Sequence, residues 1–346
     1  MFIPIATQRL VLRPVRREDA ASVATRRSDP ATATYQSWEV PYPLPAAEAL
    51  IAEVMEMGGP ESDEWYMIAI ADPGSNEMLG DLALHLTWQG RTAELGYTLD
   101  PQARGKGYAA EAVDGLLDYL FDTLGVTRVE ADLHPDNISS ARVLERTGFR
   151  YEGLTRSDYW VGNEVSDSSH YAMLRTDLEA WRSRPRMVPE HVRLVEVGAH
   201  NERDVYRLKT HKTQEAFVAP MEASFADALF PEVVDGAPVV PWMRAVDADG
   251  VLVGFVMVAL ATEHHPEPYL WRLLIDRLHQ RRGIGRRVLD LLVDQVREWG
   301  DDALLTSWTT GPGSPGPFYV AYGFEPTGRM IDGETEGRLP VASLLS

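Results

Sequence analysis

Apolar residues recur along this chain with two periods, and the order in which those periods appear is given twice. Residues 10–15 and 192–197 each read as an opening strand. A polar, helix-compatible stretch follows in each case, and then two strand-like runs. In the first half these runs are 65–71 and 79–87, turned by Pro73-Gly74; in the second they are 242–246 and 252–259, turned by Asp249-Gly250. A further strand, a glycine-rich loop and an amphipathic helix come next, at 93–100, 104–109 and 112–124, then at 269–276, 280–285 and 288–299. Val113, Leu116, Leu117 and Leu120 share one helical face, as do Val288, Leu291, Leu292 and Val296, so each pattern predicts a helix lying on a core. Both halves close with a strand, a short helix and a Gly-Phe pair that opens a last strand, Gly148-Phe149 and Gly323-Phe324.

Moving the first half along by 176 positions sets Leu99-Asp100 on Ile275-Asp276. It also sets Arg104-x-x-Gly107-x-Ala109 on Gln280-x-x-Gly283-x-Gly285. A divergent tandem repeat explains both matches. The segment from Arg182 to Pro189 is polar and holds two prolines, which predicts two domains, 1–183 and 188–346.

Composition narrows the function. The 346 residues suit two domains of roughly 150–190 each, and 45% hydrophobic with 25% charged residues is a globular mix. With 33 basic against 52 acidic residues the net charge is −19, which argues against nucleic acid and anionic membranes and mildly favours cationic small molecules. There is no cysteine, so disulfides, thiolate metal sites and cysteine nucleophiles are excluded. No run approaches the ~18 apolar residues of a membrane span. The first residues lack the charged-then-apolar layout of a signal peptide, so a cytoplasmic protein is expected.

A glycine-rich turn between a strand and a helix aims several backbone N–H groups at one point, where the helix dipole adds partial positive charge. Arg104, Lys106, Arg281 and Arg282 add cations in an otherwise acidic chain, so each loop suits a pyrophosphate. Neither loop is G-x-G-x-x-G, and neither ends in the Gly-Lys-Ser/Thr of a P-loop. The R/Q-x-x-G-x-G/A pattern resembles the acetyl-CoA loop of the GNAT acyltransferases. The first half is similar to the ribosomal-protein N-terminal acetyltransferase branch, through Thr7-x-Arg-Leu-x-Leu-Arg-Pro14, Gly105-Lys-Gly-Tyr-Ala-x-Glu-Ala112 and the pattern from Asn137 to Phe149. The second half is similar to the spermine/spermidine acetyltransferase branch. Its marks are Gln214 to Pro220, Val253-Gly-Phe-Val256, Leu274-Ile-Asp276 and Phe318-Tyr-x-x-Tyr-Gly-Phe324.

The resemblance implies an α+β (α/β three-layer) fold in each half, a mixed, mostly antiparallel sheet flanked by helices and splayed in a V. It implies acetyl-CoA bound at both loops by Arg104, Gly105, Lys106, Gly107, Tyr108 and Ala109, and by Gln280, Arg281, Arg282, Gly283, Ile284, Gly285 and Arg286. Asn137 joins the first set, and amides near Leu99 and Ile275 would polarise the thioester carbonyl. Tyr319 fits the family's tyrosine that protonates the leaving thiolate, whereas the matching residue of the first half is Leu144. In the first half Ser140 is the branch's thiolate partner, and Glu94, ahead of Asp158, is the candidate base. Glu222, Asp276 and Glu334 are the carboxylates available to hold a cationic amine in the second half. His264-His265 is expected to be a loop pair and not a metal site. The expectation is direct acetyl transfer to a primary amine of a small-molecule substrate, by a monomer with pseudo-dimeric domain pairing or by a homodimer. The alternatives are a protein N-terminus as acceptor, through the first half, with the second half a structural or coenzyme A-binding module.

Overall fold

A computed structural model describes residues 2–161, 163–234 and 236–341. The chain divides into two compact units, Met1–Ser183 and Arg184–Ser346.

In the first unit the strands are β1 (Ile5–Ala6), β2 (Val11–Pro14), β3 (Trp65–Ala71), β4 (Met78–Thr87), β5 (Thr92–Leu99), β6 (Arg128–Leu133), β7 (Arg150–Val161) and β8 (Glu164–Leu174). They form one sheet in the order β1-β2-β3-β4-β5-β6-β8-β7, antiparallel except where β5 meets β6. The helices are α1 (Ala20–Ser28), α2 (Pro30–Ala33), α3 (Leu44–Met57), α4 (Tyr108–Asp118), α5 (Ile138–Thr147) and α6 (Arg175–Ser183). Strand alternation sends Leu82, Leu84 and Leu86 of β4 to one face and Asp81, Ala83 and His85 to the other. Leu12, paired with Ile70, shares the first face, and α4 approaches it so closely that a Cβ on Gly115 would lie 3.8 Å from Leu12. On the opposite face Arg26 of α1 reaches Asp81. The unit therefore has three layers.

In the second unit the strands are β9 (Val192–Glu196), β10 (Val233–Val234), β11 (Ala237–Pro238), β12 (Pro241–Ala248), β13 (Val251–Ala259), β14 (Tyr269–Ile275), β15 (Ala303–Trp308), β16 (Glu325–Ile331) and β17 (Glu334–Pro340). The helices are α7 (Glu202–Tyr206), α8 (Met221–Leu229), α9 (Ile284–Trp299) and α10 (Gly316–Tyr322). Its main sheet runs β16-β17-β15-β14-β13-β12-β9, and β10 and β11 form a separate hairpin.

Each sheet opens at its one parallel pair. β5 and β6 stay paired only from Thr92↔Arg128 to Glu94↔Glu130, and β14 and β15 only at Tyr269↔Leu305. Beyond those points one edge of β5 and of β14 is unpaired, which is the V that the resemblance implied. Both amphipathic helices begin earlier than their hydrophobic pattern shows, at Tyr108 and Ile284 directly after a glycine. The apolar stripe marks only where a helix meets the core, and the first turn projects beyond it.

Candidate active site

The two loops share one backbone shape. Gly107 and Gly283 are the residues before α4 and α9, in left-handed conformation with φ of 81° and 75°. Two residues earlier Gly105 has φ 75° and Arg281, at the matching place, φ 62°. No side chain caps either helix start. The first main-chain bonds back to the glycines come from Glu111 and Arg287, so the amides before them are open donors. A Cβ placed on Gly283 would meet nothing within 4 Å, and one on Gly107 would meet only Arg9 Nη2 at 3.5 Å. Both cradles fit a phosphate group against backbone N–H.

The side chains around them behave differently from one another. Arg104 donates from Nε to the carbonyl of Leu99 at 3.2 Å, and Gln280 donates from Nε2 to that of Ile275 at 3.0 Å. Each ties the loop to the end of its strand, so their first task is to shape the turn. The expectation that Arg282 supplies charge toward a ligand is corrected. Arg282 is only 7% exposed and its guanidinium donates to Met187 O and His279 Nδ1, because the left-handed turn at Arg281 rotates it inward. Arg281 and Arg286 remain exposed at the cleft. In the first unit Lys106 is joined by Arg9, which sequence reasoning missed. Arg9 donates to Glu111 and to Lys106 O, and lies over the Tyr108 ring at 4.8 Å.

Asp100 N–H donates to Leu79 O and Asp276 N–H to Val253 O, so alternation turns the N–H of Leu99 and of Ile275 toward the open side of the V.

A cleft of about 1230 Å³ in the second unit is lined by Gly283, Ile284, Gly285 and Arg286, by Tyr319 and by Glu334. Tyr319, on α10, is 7% exposed and packs between Trp308 and Phe324. Burial pushes its phenol above the ordinary value, against an opposing hydrogen bond with Thr306. Glu334 accepts hydrogen bonds from Ser307 and from Thr309, the latter at 3.1 Å, and Ser307 in turn receives the Tyr269 hydroxyl at 2.6 Å. Nearby Glu336 and Glu267 pair with Arg329 and Arg338, whereas among the described residues the partners of half-buried Glu334 are hydroxyls.

Two carboxylates expected beside it, Asp276 and Glu222, are not among the residues lining the cleft. Asp276 accepts from the amides of Lys209 and Leu278 and so fixes a turn. Glu222 is exposed on the first turn of α8 and does not itself line the cleft. His264-His265 lies in a loop. Among the described residues no group of three His, Asp or Glu side chains is placed to hold a metal.

In the first unit Glu94 lies at the last position of β5 that pairs with β6, with its carboxylate 3.2 Å from His85 Nδ1. Trp65 stacks on that imidazole at 4.9 Å. Asn137 is the N-cap of α5, accepting from the Ser140 amide at 3.2 Å, while Ser140 O accepts the buried Tyr97 hydroxyl at 2.8 Å. Asn137 and Ser140 thus hold the start of α5 beside β5. Leu144 is wholly buried in the core.

Two three-layer units, each with a sheet opened beside an uncapped helix start, define an acyltransferase fed by a coenzyme A thioester. The chain belongs to the GNAT acetyltransferase family: the family's acetyltransferase (GNAT) domain matches residues 9–150, and a second acetyltransferase (GNAT) family pattern matches residues 203–324. It is an acetyl-CoA-dependent N-acetyltransferase. YjcK of Bacillus subtilis, named as an N-acetyltransferase, is 36% identical over 121 residues, 34% of this chain and 67% of its own. The Bacillus licheniformis N-acetyltransferase p20 is 30% identical over 173 residues, 49% of this chain and 96% of its own. YdaF of Bacillus subtilis, named as a ribosomal N-acetyltransferase, is 33% identical over 103 residues, 30% of this chain and 56% of its own. The likeness to ribosomal-protein acetyltransferases belongs to the first half.

Proposed function

We propose that the chain moves acetyl directly to a primary amine of a small cationic molecule, a polyamine or an amine-bearing antibiotic, in the cleft of the second unit. The observation that carries this reading is one continuous cleft shared by the Gly283 turn, Tyr319 and Glu334. Acetyl-CoA, when bound, supplies a thioester carbon open to attack by an amine. The first-turn amides of α9, with Arg281 and Arg286, would hold its pyrophosphate. The Ile275 amide is turned to donate to the thioester carbonyl oxygen. Tyr319 keeps its hydroxyl proton at neutral pH, because burial raises its pKa, and so serves as a donor. Glu334, which among the described residues is paired with no arginine, attracts an ammonium group. The absence of cysteine fits transfer without a thioester on the protein. Assay of the intact chain with acetyl-CoA and a panel of amines tests the reading. Acetylation of polyamines or aminoglycosides supports it; acetylation confined to peptide N-termini sinks it.

A second reading gives the reaction to the first unit, acting on a protein N-terminus with Glu94 and Ser140, the second unit being structural or a coenzyme A module. The name of YdaF and the position of Glu94 at the opening of β5 and β6 favour it.

A further inference from the structure

The first unit carries a side-chain group that the chemistry above leaves unused. His170 lies on β8, in register with Asp132 of β6, and its Nδ1 is 2.5 Å from Asp132 Oδ1. A hydrogen on Nδ1 satisfies that contact and leaves the Nε2 lone pair to accept. Nε2 is 2.6 Å from Thr155 Oγ1, 3.0 Å from Ser168 Oγ and 3.6 Å from Asp158 Oδ2. The Ser168 hydroxyl donates to Asp158 at 2.8 Å, so the donor to Nε2 is Thr155, whose side chain faces solvent. An irregularity between Thr155 and Tyr159, with Ser157 at φ 55°, brings Asp158 round to this group. Asp132 is two residues past Glu130, the last residue of β6 paired with β5, so the group begins where the sheet opens.

Its charge is unbalanced. Among the described residues, the ion-pair partners of Glu94, Asp132 and Asp158 are the imidazoles of His85 and His170 alone. Glu130 and Glu152 share Arg128. With imidazoles as their only ion-pair partners among the described residues, these three carboxylates at the opening face no arginine or lysine, and a primary ammonium is the group that would balance them.

We propose that the first unit is an amine-acetylating site in its own right, in which His170, oriented by Asp132, takes the proton of an incoming primary ammonium through the Thr155 hydroxyl. The ammonium N–H bond breaks as its proton goes to Thr155 Oγ1, and the proton of Thr155 passes to His170 Nε2. The nitrogen keeps the electron pair with which it attacks the thioester carbon; the C–S bond breaks as the amide forms, and the nitrogen's second proton goes to the leaving coenzyme A thiolate. The imidazolium is held between Asp132 and Asp158 until water removes the proton. A small polyamine and an unblocked peptide N-terminus present the same ammonium, and either fits. The groups facing His170 are Asp132 and Glu130 from β6, Asp158 and Thr155 from β7, and Ser168 on its own strand. Glu94 and Tyr159 complete the surround, Tyr159 being close enough to feel both Glu94 and Asp132. The proposal rests on the first loop binding acetyl-CoA.

The test uses the full chain with the second loop closed by Gly283→Trp. Calorimetry should give one coenzyme A per chain, and turnover should persist with spermidine or with a short alanine-initiated peptide, the two arms separating the sources of the amine. Adding His170→Gln should lower kcat about 10²-fold, leave KM for acetyl-CoA unchanged and abolish the acid limb of the pH profile. Asp132→Asn should cost less, since its carbonyl still orients the ring. In the wild-type chain without acetyl-CoA, the His170 imidazole resonances should shift when spermidine or the peptide is added. Undiminished turnover of His170→Gln with an unaltered pH profile overturns the proposal, and so does an unshifted imidazole. Loss of coenzyme A binding in the Gly283→Trp chain overturns the reading of the first loop and the proposal with it.

Discussion

Tyr319 lies over Trp308 with ring centroids 5.8 Å apart and planes 24° from parallel. Phe324 closes the other side at 5.4 Å, edge-on. The ring is therefore fixed by packing, and the hydroxyl, hydrogen-bonded with Thr306, is the part that can do chemistry. Tyr319→Phe keeps the stacking and should leave thermal stability nearly unchanged. If this phenol protonates the leaving thiolate, turnover in the second unit should fall roughly 10²–10⁴-fold. Because burial raises the phenol's pKa, it stays protonated through neutral pH, and wild-type activity should show no loss from tyrosine ionisation there. Undiminished turnover of Tyr319→Phe would move the chemistry to the first unit.

Replacing Gly283 or Gly107 with valine should remove coenzyme A binding in that unit only. The left-handed backbone costs a substituted residue about 1–2 kcal/mol. The larger effect comes from the space above the turn, which is open in the protein and needed by a phosphate. Calorimetric stoichiometry on each single variant and on the double variant checks the assignment. Unchanged stoichiometry in both single variants would mean the anion binds elsewhere.

The repeat was legible because it is written locally. A glycine turn between strand and helix fixes backbone angles within six residues, and Gly105-x-Gly107 and Arg281-x-Gly283 match in φ as well as in spacing. The open sheet came through the resemblance and not through any periodicity. Side-chain destinations were less legible. Arg282 reads as a cation of the loop, yet a turn that is left-handed at Arg281 buries it against Met187. Asp276 reads as a substrate carboxylate, yet its neighbours' amides claim it. Arg9 sits in a motif noted for its likeness alone, and its place over Tyr108 depends on a turn nearly a hundred residues away in sequence. The His170 group joins three strands, and no spacing along one strand announces it.

His211, in the second unit, gives a pH dependence of stability. Burial, reinforced by Arg277 and Arg184, lowers its pKa from 6.5 to about 4. The unfolded chain therefore binds this proton at higher pH than the folded one does. Stability from this group is complete above pH 6.5 and is lost as pH falls toward about 4. Urea midpoints measured at pH 7.5 and pH 5 should differ in the transition of the second unit, and His211→Gln should reduce the difference. An equal fall in the variant would assign the acid sensitivity to other groups.

In the first unit α1 is tied to β4 and to the end of β5 through Arg26. Arg26 has a fully buried side chain that donates to Asp81 at 2.5 Å and to Asp100 at 2.8 Å, and Asp100 follows Leu99, whose amide faces the opening. The attraction offsets the desolvation of two buried charges, so the pair as a whole adds little net stability. Breaking it is another matter. Arg26→Met leaves Asp81, itself buried, with no cation, and should destabilise the first unit by about 3–5 kcal/mol. Arg26→Met combined with Asp81→Leu removes both charges and should recover most of that loss. Activity of the first unit should not recover in parallel, because Asp100 still lacks the arginine that anchors the end of β5. Chemical denaturation of the two variants, followed in the transition of the first unit, separates these effects. Equal destabilisation in both would mean that lost packing around Arg26, and not an orphaned carboxylate, sets the cost.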